Sequence, residues 1–266
     1  METDPNGYYR MPLIMGPLWM GEKPRLEYTQ TEAVALQYFT EPDAIAPLLP
    51  DCYKPGKEPQ VTVLFGYNNG LDFMAGGGYR LATFQVSAQF DGEEDHVEGD
   101  YILVMFENQT WPIIGGREDL GVPKLYADIS PIKTLPDGRL RCEASLWGHL
   151  LFVLELPSPK KQNRIVRIVA NKIINSRPWL AYKYIPSLDG HPDVEYPTIS
   201  QNDTSIEDLW FAKSGKVIFG NADVNDIGHV KFLMDALKTL PIKEVKQALH
   251  LRGSAILRYD LSRRLL

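Results

Sequence analysis

The run Tyr101–Phe106 is apolar without a break, and Leu150–Leu156 is apolar but for Glu155. Segments this short cannot form buried helices of ordinary length, so each reads as a β-strand covered on both faces. Around them Val61–Tyr67, Ala82–Phe90 and Arg139–Ala144 alternate apolar with small or polar residues, the period-two pattern of half-buried strands. Residues 180–185, 194–199, 216–219 and 254–259 are further strand candidates. Helical spacing is confined to Val230–Lys238, Arg164–Ile174 and a short helix capped by Thr40, with Pro42 in its first turn, ending near Leu48-Leu49-Pro50. Many strands and few helices predict a mainly β, α+β architecture, a barrel or sandwich with appended helices. No repeat, low-complexity stretch or linker divides the chain, so residues 1–266 read as one domain. Residues 1–30 form an irregular arm, rich in Pro, Gly, Met and aromatics, too apolar to stay unpacked.

Composition narrows the function. The net charge is -6 with no basic stripe, which argues against nucleic acid. No run approaches the length of a membrane-spanning helix, and the acidic, polar N-terminus is unlike a signal peptide. Cys52 and Cys142 stand far apart with no CxxC, as in a reduced cytoplasmic protein. The five histidines form no HxxxH or HExxH, so no metal site is expected. Gly76-Gly77-Gly78 lacks phosphate-loop spacing and reads as a hairpin turn. There is no GxSxG nucleophile elbow. What remains is Lys124, which follows the turn-rich segment Gly115–Pro123 and lies among apolar strands. A lysine held in a dry pocket is disfavoured in its charged form and becomes a nucleophilic amine.

Several motifs occur in order: Gly99-Asp100-Tyr101, Glu107-Asn108-Gln109, Gly116-Arg117-Glu118, Pro123-Lys124, Arg177-Pro178, Ile185–Pro192 and Leu240–Val245. In this order and spacing the chain resembles the acetoacetate decarboxylase superfamily. The resemblance implies a closed, cone-like β-barrel with outer strands and a few helices. It also implies that Lys124 forms a Schiff base with a ketone and that the chain works without a cofactor as a homo-oligomer. The sequence departs from that pattern where the decarboxylases carry charge. Their second lysine is Leu125 here, their pocket glutamate is Leu81, and an N-terminal arginine is Thr31.

A larger, more apolar β-keto acid, of the polyketide type found in secondary metabolism, therefore suits the site better than acetoacetate. Tyr79, Arg80, Leu81, Phe106, Arg117 and Leu125 are the expected substrate-binding residues, with Arg80 as a replacement carboxylate anchor. Glu118, the acid nearest Lys124 in sequence, either orients Arg117 or moves protons as a second catalytic group. Glu107, His149 and Tyr126 are weaker candidates. Three functions are expected in turn: decarboxylation of a β-keto acid, a Schiff-base aldolase, dehydratase or cyclase reaction, and non-catalytic ligand binding.

Overall fold

The computed structural model describes residues 2–266. A twelve-stranded sheet dominates it. Its main path runs Lys160–Lys161, Asn202–Ala212, Glu244–Arg258, Arg25–Phe39, Gln60–Leu71, Tyr79–Asp91, His96–Glu107, Trp179–Pro186, Pro192–Ser200, Arg263–Arg264. The short strands Tyr53–Pro55 and Lys124–Tyr126 attach beside Tyr79–Asp91 and His96–Glu107. A five-stranded sheet built on Leu140–Leu146, His149–Leu156 and Lys216–Phe219 accompanies it.

The two apolar runs explain how the sheets meet. Side chains alternate between the faces of a strand, and one face of the large sheet presents Phe65, Phe84 and Phe106. Phe152 of the smaller sheet packs against all three, at ring-centroid separations of 5.3, 4.9 and 6.2 Å. This is the main core. The opposite face of the same strands carries a second cluster: Tyr28, Leu71, Tyr79, Leu81, Ile102, Met105, Leu120, Val122, Leu257 and Tyr259 among others. Because residues 101–106 are packed from both sides, their strand needs no polar face, as its composition indicates.

Several expectations are corrected. The arm ends at Pro24, since Arg25 opens a fifteen-residue strand whose polar start masks its alternation, and within the arm Gly7–Tyr8 pairs antiparallel with Trp19–Met20. Asn202–Ala212 is a strand that the sequence reading passes over, and the strand expected at 254–259 begins at Glu244. Thr40 does not cap the short helix: Glu41 precedes Pro42 without a side-chain hydrogen bond, and the Thr40 hydroxyl is buried unpaired. The helices Arg164–Asn175 and Val230–Lys238 lie where the periodicity places them. The first is capped by Asn163, whose side-chain oxygen accepts a bond from the Val166 N–H at 3.1 Å. Asn163→Ala is expected to cost about 1 kcal/mol, read as a lowered urea midpoint at unchanged slope.

Candidate active site

The strand His96–Glu107 is flanked on one side by Tyr79–Asp91, antiparallel, and on the other by Lys124–Tyr126, parallel. Between leaving the first and returning as the last, the chain makes a tight crossover. Thr110–Gly115 is a short helix with Pro112 in its first turn, where the missing N–H is no loss. Gly116–Leu120 widens into a π-type turn, closed by a bond from the Val122 N–H to the Gly116 carbonyl at 2.9 Å. Gly121 then takes a left-handed φ of 75°, a conformation that suits glycine, and the chain re-enters the sheet at Lys124. The crossover lays Lys124 beside Met105 and places Tyr126 beside Glu107.

Strand register decides which side chains share a face. Glu107 is directly opposite Leu81, which is opposite Gly66; Tyr79 is opposite Asn68, and Asn68 opposite Thr31. These residues, with Met105 and Lys124, belong to the second-cluster side of the sheet. Lys124 is only 8% exposed and Glu107 is fully buried. The Lys124 ammonium donates to Glu107 Oε1 at 2.8 Å and to the Pro112 carbonyl at 3.0 Å, and lies 6.0 Å from the centre of the Tyr79 ring. The other carboxylate oxygen of Glu107, Oε2, is buried without a hydrogen-bond partner. Burial pushes the Glu107 carboxyl up from its ordinary value, while the adjacent Lys124 charge and hydrogen bond hold it down; the net shift is upward. The Tyr79 hydroxyl lies 3.5 Å from that of Tyr28, and desolvation drives both phenols up, so both stay protonated.

Two adjacent glycines make room for cations. A Cβ on Gly116 would stand 2.2 Å from Lys124 Cε and 2.6 Å from Nζ. A Cβ on Gly115 would meet the Arg10 guanidinium at 2.5 Å. Arg10 comes from the N-terminal arm, forms a buried ion pair with Asp119 of the π-type turn and stacks over Trp111. The arm thus packs on the body and braces the segment that delivers Lys124.

The other sequence candidates fall elsewhere. Phe106 and Leu125 face the main core on the opposite side of the sheet, because each is one residue out of phase with Glu107 and Lys124. Arg80 is likewise out of phase with Leu81 and donates to the Ile129 carbonyl at 3.0 Å. Arg117 is exposed and donates to the Lys124 backbone carbonyl at 3.0 Å, which positions the strand rather than a ligand. Glu118 lines a separate cleft of about 260 Å³, together with Asp119, Leu120, Lys183, Tyr196 and Tyr259 among others. Neither Lys124 nor Glu107 lines it. His149 is exposed beside Asp226, and Tyr126 is exposed and bonded to Asp128. Tyr79 and Leu81 do lie on the lysine's face. The residue that sequence reasoning undervalued is Glu107. Its signal was present, as an acid continuing the burial phase of Met105 at the end of an all-apolar run. No cluster of His, Cys, Asp or Glu able to hold a metal occurs among the described residues.

The model of the acetoacetate decarboxylase family matches residues 10–261. Acetoacetate decarboxylase 1 of Bradyrhizobium diazoefficiens is 25% identical over 235 residues, spanning 85% of this chain and 82% of the relative. Acetoacetate decarboxylase of Paraburkholderia xenovorans is 24% identical over 251 residues, 91% of this chain and 86% of its own length. Among solved structures, acetoacetate decarboxylase from Legionella pneumophila superposes with a TM-score of 0.73 at 19% identity, covering 100% of this chain and 96% of that one. The enduracididine biosynthesis enzyme MppR, complexed with the condensation product of pyruvate and imidazole 4-carboxaldehyde, gives 0.71 at 18% identity, covering 99% and 97%.

Proposed function

The chain belongs to the acetoacetate decarboxylase family, and from that premise we propose that it is a cofactor-independent decarboxylase of β-keto acids with Lys124 as the imine-forming amine. The observation that carries this reading is the buried Lys124–Glu107 contact at 2.8 Å. An amine can attack a ketone only without its proton. Desolvation or a neighbouring cation can achieve this, and acetoacetate decarboxylase is itself a standing example of the latter. Here the neighbouring position is Leu125, turned to the other face, and the group on the ammonium is a carboxylate. Transfer of the proton across that contact leaves two neutral groups, which an apolar setting tolerates better than two ions. The amine then forms the imine, whose positive nitrogen accepts the electron pair released as carbon dioxide departs.

The substrate reading follows from the same face. Leu81, Met105 and Tyr79 offer apolar contact, and the residue after Lys124 is Leu125 rather than a second lysine. That supports a keto acid with an apolar body, such as a polyketide-type intermediate, over acetoacetate. We propose the same route for a second reading, aldol condensation or dehydration. The likeness to MppR and a carboxyl beside the lysine favour it, since an enamine formed from a ketone can attack an aldehyde. Incubation with a panel of β-keto acids, with and without aldehydes, distinguishes the two. Carbon dioxide release from the keto acid alone supports the decarboxylase, and carbon–carbon bond formation without it supports the aldolase. If an apolar ketone binds with neither outcome, the protein is a ligand-binding protein.

Glu118→Gln separates this site from the one expected from sequence spacing. It is expected to shift unfolding free energy by under about 0.5 kcal/mol and to leave borohydride trapping on Lys124 at the wild-type level, measured by mass spectrometry. No helix among the described residues is long and apolar enough to cross a membrane, and we propose a cytoplasmic homo-oligomer. The exposed Ile165, Ile168, Val169 and Ile173 along one helix support self-association.

A further inference from the structure

We propose that Glu107 is the proton carrier of the imine cycle: it takes the proton from Lys124 before attack and later delivers one to the substrate carbon. This rests on the imine reading above. Three observations carry it. Glu107 is fully buried and its Oε1 lies 2.8 Å from the reacting nitrogen. Its Oε2 is buried and unpartnered, so one oxygen is held on the lysine while the other is free to meet a ligand or a water. The remaining titratable side chains nearby, Tyr28 and Tyr79, are kept protonated by burial and bond to each other. A carboxyl raised by desolvation holds a proton more readily than a free one and can give it up again.

The steps balance. The Lys124 ammonium gives one proton to the Glu107 carboxylate, leaving an amine and a carboxylic acid. The amine nitrogen bonds to the ketone carbon, and one of its protons passes to the former carbonyl oxygen. The Glu107 proton completes a water, which leaves and yields a protonated imine beside a carboxylate. The bond to the substrate carboxylate breaks, carbon dioxide departs, and the electron pair forms a neutral enamine. Glu107 then takes one proton from solvent, the single proton consumed per turnover, and passes it to the enamine carbon. Water adds to the resulting imine by the reverse of its formation, releasing ketone and restoring the ammonium–carboxylate pair.

Register suggests an unusual control. Leu81 stands directly across the ladder from Glu107, so opposed side chains on one face are close neighbours. A carboxyl moved from 107 to 81 would remain within reach of the same nitrogen.

The test is exchange of ketone α-hydrogens for deuterium, followed by proton NMR in D₂O with butanone, 2-heptanone and acetophenone, alongside borohydride trapping of the same ketones. Exchange runs the enamine step without needing the natural substrate. Wild type is expected to be trapped and to exchange. Glu107→Gln should still be trapped, but more slowly, with the Lys124 proton lost to water instead of to Glu107, while exchange falls about 100-fold or more, a split that a merely structural role would not produce. The double variant Glu107→Leu with Leu81→Glu should regain exchange to within about tenfold of wild type. Exchange in Glu107→Gln within about threefold of wild type, with the adduct formed, overturns the assignment and leaves the imine reading standing. If Glu107→Gln forms no adduct, the double variant decides: a regained adduct supports the role, and none overturns it. Absence of any adduct on wild type removes the imine reading itself, and this inference with it.

Discussion

Lys124→Ala is expected to lower kcat by about 10⁵ or more, the scale seen when a covalent nucleophile is removed. Lys124→Arg should be as inactive, because a guanidinium keeps its proton and cannot form an imine. Activity within about tenfold of wild type in the alanine variant would contradict the mechanism. The substitution also has a structural signature. It leaves Glu107 fully buried with no cation, so only desolvation acts on a carboxyl that burial already raises. A folded-state value above the unfolded one means that the native state binds more protons. Stability is then greatest below the ordinary carboxylate value and falls as pH rises through the raised one. Lys124→Ala should therefore lose stability relative to wild type as pH increases from acid toward neutral, measured by thermal unfolding across that range. A pH-independent difference would show that the two side chains are not energetically paired.

Gly116→Ala is expected to retain the fold yet lower kcat by about 100-fold or more, since misplacing a reacting group by about 1 Å can cost that much. The added methyl would occupy the space of Lys124 Cδ, Cε and Nζ. These atoms are the flexible end of a side chain, so the lysine moves rather than the backbone. Its contacts with Glu107 and the Pro112 carbonyl are lost together. Borohydride trapping should slow in parallel with turnover, while the melting temperature stays close to wild type. A large drop in stability with normal activity per folded molecule would mean that the glycine serves the turn alone.

Much of the fold was legible because burial on two faces leaves a plain mark. Residues 101–106 could be a central strand from composition alone. The long strand Arg25–Phe39 was less legible, since it begins among charged and hydroxyl residues and, Tyr28 apart, becomes buried only from Ala33. The site was legible in one residue and obscure in its partner. Lys124 was marked by its motif and by Gly-Pro punctuation, but proximity in sequence suggested Glu118 as its acid. The π-type turn sends Glu118 to another cleft, while parallel pairing brings the end of the preceding strand, seventeen positions upstream, to the amine. Phe106 and Leu125 were misplaced for a related reason. They neighbour the key residues in sequence, and in a strand that is what assigns them to the opposite face.

The most direct test of the central claim is peptide mapping by mass spectrometry after borohydride treatment with a β-keto acid that the protein turns over. A single modified peptide is expected, bearing the decarboxylated ketone as a secondary amine on Lys124 and absent from Lys124→Ala. Turnover with no adduct, or an adduct on another lysine such as Lys183 beside the Glu118 cleft, would contradict it.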